Sequence, residues 1–200
     1  MSSPRTPNEG QLSSDLPGLT HYITGHDTST GQAIVKSTRP GFWVPILKGA
    51  NAFNVVYTTS EFPASLNDDK DLQTHDELVS SKKLGLVNPN GTVCRIVDFK
   101  PGAQPLMHRT QSLDYGVVLE GIMEMSLDSG ETSRLHRGDV AVQRATMHGW
   151  RNPSETDWAR MLFVLQDCHA AVIDGRSLRE DLSHARAVGE PIPDSKDDAA

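Results

Sequence analysis

Gly102-Ala103-Gln104-Pro105-Leu106-Met107-His108-Arg109-Thr110, running on through Asp114 to Gly121, and Gly138-Asp139 through His148-Gly149-Trp150-Arg151-Asn152 are the two stretches that decide how this chain folds. Each is bounded by glycine and carries one histidine in a strand-like setting, with Asp114 between the two. A closed β-barrel could bring both imidazoles and the carboxylate to one point, giving a ligand set that holds a catalytic metal and leaves positions open. Side chains two apart on a strand share a face. His108 and Thr110 therefore project together, and Asp114 keeps that parity if the intervening segment stays extended. In the second stretch His148, Trp150 and Asn152 share a face. If that face is the barrel interior, His148 meets the metal position, Trp150 walls the cavity and Asn152 hydrogen-bonds a neighbouring turn.

Outward from these stretches, Thr92 to Gln166 has the most regular pattern in the chain. Val93, Arg95, Val97 and Phe99 alternate with Cys94, Ile96 and Asp98, and the run stops at Lys100-Pro101-Gly102. Tyr115 to Leu119, Ile122 to Leu127, Asp139 to Gln143, Met147 to Arg151 and Arg160 to Leu165 read as further strands. Turn chemistry at Gly121, Asp128-Ser129-Gly130, Arg137-Gly138-Asp139 and Asn152-Pro153-Ser154 separates them. Short strands at this spacing predict an all-β antiparallel sandwich or barrel. Upstream, Leu19 to Thr24, Gln32 to Lys36, Phe42 to Leu47 and Phe53 to Thr59 are shorter β-like runs. The polar, acidic stretch from Ser60 to Ser81 reads as a loop or lid.

The predicted organisation is a disordered tail over 1–18, N-terminal strands and the acidic loop over 19–91, and a barrel core over 92–170. A C-terminal helix over 171–188 follows, because Ser177-Leu178-Arg179-Glu180 has the spacing of a capping box, and then a disordered acidic tail over 189–200. With 200 residues and only 36% hydrophobic content, one domain with a modest core and polar arms is expected. A net charge of −7 without any Lys/Arg cluster argues against a nucleic-acid partner. No apolar run reaches the ~20 residues of a membrane span, and Met1 to Gly10 lacks the apolar core of a signal peptide, so a soluble, cytoplasmic protein is expected. Cys94 and Cys168 lack metal-binding or redox spacing and read as two reduced thiols.

Gly102, His108, Thr110, Asp114 and Gly121 fall in register with the first motif of the cupins, which reads glycine, two histidines one residue apart, glutamate and glycine. Gly138, His148 and Asn152 match the second motif, with Arg144 where proline is usual and one residue fewer before the histidine. The chain therefore resembles a cupin, and the resemblance implies a double-stranded β-helix (jelly-roll) barrel. Asp114 to Gly121 and His148 to Asn152 are more narrowly similar to single-domain cupins of fungal secondary-metabolite pathways. That group is usually described as cupin-type oxidoreductases acting on aromatic or polyketide-derived intermediates. Thr110 stands where the second histidine ligand belongs, and Asp114 where glutamate is usual.

With those departures accepted, the resemblance implies a metal set of His108, Asp114 and His148, a two-histidine, one-carboxylate triad suited to Fe(II), with Zn, Mn or Ni as alternatives. Asp114 could instead stabilise the turn before Tyr115-Gly116. Asp114 and His148 are the candidate catalytic groups, and Trp150, Arg95 and Thr110 the candidate substrate-binding residues. Arg95 suits a carboxylate or phenolate. Gly102, Gly121 and Gly138 read as backbone turn devices. The resemblance further implies a homodimer that exchanges the strands between Leu19 and Thr59. A non-redox lyase or isomerase such as a decarboxylase, dehydratase or cyclase, and a non-catalytic small-molecule-binding cupin, are the competing readings.

Overall fold

In a computed structural model, residues 5–190 and 192–195 are described. Strands dominate, in chain order β1 (Thr20–His26), β2 (Ala33–Pro40), β3 (Val44–Ile46) and β4 (Asn51–Thr59), then helix α1 (Lys70–Ser81). Next come β5 (Thr92–Phe99), β6 (Ser112–Glu120), β7 (Ile122–Leu127), β8 (Thr132–His136), β9 (Val140–Arg144), β10 (His148–Arg151) and β11 (Ala159–Asp167). The hairpin β12 (Ala171–Ile173) and β13 (Arg176–Leu178) and the short helix α2 (Ser183–Ala187) complete the chain. A six-stranded sheet in the order β3-β4-β5-β11-β6-β9 accompanies a three-stranded sheet in the order β10-β7-β8, and all the pairings are antiparallel.

The alternation predicted along β5 becomes the barrel's inner face. Val97, Phe99, Val118, Met161, Phe163 and Leu165 of the large sheet pack with Met123, Leu135 and Trp150 of the small one in a single buried cluster. Non-consecutive pairing places β11 between β5 and β6, so Arg95, Phe163 and Gly116 lie in one row across three strands. A Cβ on Gly116 would stand 3.0 Å from the Phe163 ring. The missing side chain is what lets that ring lie over β6. Gly102, Gly121 and Gly138 all have positive φ (69°, 80° and 92°), as turn devices require.

The lead segment is not the free tail that its polar composition predicted. Ser13 and Leu16 are buried, and the Ser13 hydroxyl donates to Asp98. Arg160 forms a buried ion pair with the same carboxylate at 2.6 Å, donates to the Pro17 carbonyl at 2.8 Å and lies 5.1 Å from the Trp43 ring centroid. A second apolar cluster of Trp43, Ala52 and Ile96, with Leu19 and Leu162 against it, covers the outer face of the large sheet. That face carries a charge pair whose solvation must be replaced, and the N-terminal segment replaces it. The expected tails at residues 1–4 and 196–200 lie outside the described residues, whereas Ser195 within the expected 189–200 tail is buried and its hydroxyl accepts from the Val87 N–H at 3.0 Å.

Three further expectations change. Residues 70–81, read as part of a loop or lid, form α1, whose one buried residue is His75 and whose half-buried neighbours Asp71, Leu72, Leu78 and Val79 recur at helical spacing. Thr132–His136, not anticipated as a strand, pairs with β7. The helix expected over 171–188 is a hairpin followed by a helix restricted to Ser183–Ala187. Asp174-Gly175, with φ of 48° and 74°, makes the turn between β12 and β13, the hairpin chemistry that overrides the capping box at Ser177.

Candidate active site

His108 lies outside the named strands, yet it forms an isolated antiparallel bridge to His148 at the start of β10. The segment Pro105–Met107 that delivers it runs so close to β10 that a Cβ on Gly149 would stand 2.9 Å from both the Met107 sulfur and Pro105 Cβ. Only glycine at 149 permits this approach. The two imidazole centroids are 4.5 Å apart, and Trp150 meets His148 edge-on at 6.0 Å.

Each ring is fixed by a backbone carbonyl two residues earlier in the chain. His108 Nδ1 lies 2.9 Å from the Leu106 oxygen, and His148 Nδ1 lies 2.9 Å from the Thr146 oxygen. A carbonyl only accepts, so each Nδ1 carries the proton and each Nε2 is left with its lone pair. Burial lowers both pKa values, that of His148 to about 3 with the neighbouring imidazole as a further cause. Both rings are consequently neutral and basic at Nε2 across the physiological range, the state required of metal ligands.

Asp114 comes from β6, across the barrel, and is buried. The Thr110 hydroxyl donates to its Oδ2 at 3.2 Å, while the buried Oδ1 has no protein partner. Burial raises the carboxyl pKa to about 6, against the pull of the Ser112 and Thr110 hydroxyls and the Arg95 charge. Among the described residues no group of three His, Cys, Asp or Glu side chains is gathered tightly enough to hold a metal. Of the expected triad, His148 and the bridged His108 come from the small sheet's side and Asp114 from the large sheet, and all three line the same pocket. Thr110, expected to bind substrate, is buried and absent from the pocket lining, where its hydroxyl positions Asp114 instead.

His108, His148, Asp114, Arg95 and Trp150 all line one pocket. Phe53, Phe99, Phe163 and Leu165 supply its apolar wall. Trp150 packs edge-on to Phe163 with centroids 5.5 Å apart. Asn152, as the strand parity predicts, turns to neighbouring backbone and donates to the carbonyls of Phe99, Lys100 and Asp157. Parts that sequence reading missed complete the lining, namely Ile46 and Leu47 and, from the C-terminal segment, Leu182, Ala185 and Ile192. Arg109 anchors that segment by exchanging both backbone hydrogen bonds with Asp181 and donating through Nε to the Arg179 carbonyl. The spacing of Leu182 and Ala185 behind the capping box was the available signal, but nothing in it specifies the pocket as its partner.

The cupin domain pattern matches residues 95–165, the strands that carry this site. The chain belongs to the cupin-domain family. It is 40% identical over 166 residues to the cupin-domain-containing oxidoreductase fogC of Aspergillus ruber, spanning 82% of this chain and 79% of that protein. It is also 41% identical over 171 residues to phomopsin biosynthesis cluster protein D of Diaporthe leptostromiformis, spanning 86% of this chain and 90% of that protein. Among solved structures, an RmlC-like cupin from Shewanella frigidimarina is 13% identical with a TM-score of 0.41, covering 64% of this chain and 85% of that one.

Proposed function

We propose that this chain is a cupin oxidoreductase, metal-dependent through His108 and His148, that acts on a small aromatic or polyketide-derived intermediate of a secondary-metabolite pathway. The names of its relatives supply the reaction class. The observation that carries the metal is the fixed tautomer of the imidazole pair, since both Nδ1–H groups are spent on carbonyls and both Nε2 atoms are available. The pair would supply two ligands of a divalent ion, with Fe(II) first and Zn, Mn or Ni behind it. When bound, such an ion would supply Lewis acidity and, for iron, redox capacity at the imidazole end of the pocket.

The protein's own groups complete the chemistry. Asp114, with a pKa of about 6 and a free Oδ1, is suited to take or return a proton near neutral pH. Thr110 holds the other carboxylate oxygen in place. Trp150, Phe53 and Phe163 bind the apolar part of the substrate and exclude water. Metal analysis of protein purified without chelator, paired with turnover in excess EDTA, tests the reading. Roughly one equivalent of metal per chain and activity lost to chelator are expected. Absence of metal together with full activity in EDTA overturns it.

The tuned carboxyl of Asp114 also favours a second reading, a lyase or isomerase in which this group is the acid–base catalyst. Undiminished turnover under strict anaerobiosis, with no electron acceptor present, assigns that class instead.

A further inference from the structure

Arg95 is the only lysine or arginine among the described residues that line the pocket, and it is 4% exposed. Its terminal NH2 donates to the carbonyls of Gly85 at 2.9 Å and Leu86 at 3.1 Å, and its guanidinium lies 4.8 Å from the Phe53 ring centroid. Its Nε is buried and unpartnered. Among the described residues no carboxylate comes within ion-pairing distance of it, although it feels the charge of Asp114. Burial lowers its pKa only to about 10, so it stays charged at neutral pH. A guanidinium held by carbonyls and a ring keeps a charge and a donor for something else, because a desolvated cation without an anion is costly. The indole Nε1 of Trp150, on the same pocket wall, is likewise buried without an acceptor.

We propose that the pocket takes an amphipathic organic acid, its ionised carboxylate docked on Arg95 and its apolar body laid along Phe53, Phe163 and Trp150. This rests on the reading of the pocket as the substrate site and adds the chemical class of what enters it. The sheet register sets the scale. Arg95 pairs with Phe163, and Phe163 with Gly116 of the strand that carries Asp114, so two strand spacings, about 10 Å, separate the two strands. An acid anchored at Arg95 therefore spans the aromatic wall and presents its far end to the imidazoles and Asp114.

The test compares phenylbutyrate with its neutral isostere phenylbutyramide by titration calorimetry on the full chain, with chelator present so that no metal can hold the carboxylate. The acid is expected to bind at least about tenfold more tightly, the worth of roughly one charge-assisted hydrogen bond. Arg95→Gln should erase the preference, and Arg95→Lys should keep part of it. Equal affinities, no saturable binding of the acid at millimolar concentration, or an acid preference that survives Arg95→Gln overturns the proposal. If Arg95→Gln does not fold, the acid–amide comparison on the unaltered chain and the Arg95→Lys variant decide. A preference that appears only after Fe(II) is added and persists in Arg95→Gln places the carboxylate on the metal and also overturns it. Because the measurement is made on chelated protein, loss of the metal-dependent reading would leave its outcome intact.

Discussion

His108 and His148 exchange both of their backbone hydrogen bonds, each N–H donating to the other's carbonyl at 2.9 Å. Residues paired in this way on antiparallel chains project their side chains to the same side. The ladder itself thus places the two imidazoles together before any ligand arrives, and the carbonyls of Leu106 and Thr146 fix which nitrogen each one offers.

Removing either imidazole should abolish metal retention. His108→Ala and His148→Ala are each expected to lower bound metal from roughly one equivalent per chain to none, by elemental analysis, because a lone histidine does not compete with water for a divalent ion. Circular dichroism should remain that of the parent, since the bridge is made by backbone atoms. Full metal content in both variants would place the ion elsewhere.

Asp114→Asn should stabilise the fold while impairing turnover. Between the ordinary carboxyl value of 3.8 and about 6, the folded chain keeps a proton that the unfolded chain has lost. The contribution of this group to stability therefore falls as pH rises through that window and stays flat above it. The buried imidazoles act oppositely, losing stability as pH falls below the ordinary histidine value of 6.5. The difference between Asp114→Asn and parent cancels the histidine part. In urea unfolding it should grow from near zero at acid pH to on the order of 2–3 kcal/mol at neutral pH. If Asp114 is the base, kcat/KM of the parent rises through pH about 6, and the variant loses roughly 10²-fold or more.

Gly149→Ala should damage the site without touching a functional side chain. The new methyl would meet Met107 and Pro105 at 2.9 Å and the Leu106 carbonyl at 3.3 Å, the same carbonyl that holds His108 Nδ1. A loss of about 1–3 kcal/mol in thermal or urea unfolding is expected from overpacking. Weaker metal binding should accompany it. Unchanged stability and metal affinity would show that the Pro105–Met107 segment gives way freely.

Arg160→Met should be the most destabilising of these changes. It leaves the buried Asp98 carboxylate without its cation and frees the Pro17 carbonyl. About 3–5 kcal/mol is expected. Limited proteolysis should then cut within residues 5–18 first, because that segment is held by the same pair. A parent-like digestion pattern would contradict this assignment.

The sequence alone determined an all-β antiparallel fold, its resemblance to the cupins pointed to the barrel, and strand parity put Arg95, His148 and Trp150 on one side. Alternation along Val93 to Phe99 and the glycine-bounded stretches around His108 and His148 are local, period-two signals, and strand parity carries them directly into which side chains face in. The hairpin around Asp174-Gly175 was not read from the sequence, where the capping box at Ser177 pointed to a helix over 171–188. Other features depended on the tertiary structure because they join residues distant in sequence. Asp114 belongs to the large sheet and His148 to the small one, so only the packing of the two sheets decided that the carboxylate and the imidazole pair line one pocket. Thr110 supports the Asp114 carboxylate only four residues away, a contact set by how the chain turns between them and not by strand parity. The polar lead segment read as a free tail, because its partners, Asp98 and Arg160, are brought together only by the pairing of β5 with β11. Arg95 could be placed on the inner face by alternation. That its charge lies in the pocket with no anion beside it is a property of the assembled barrel, set by which groups the fold left out of reach.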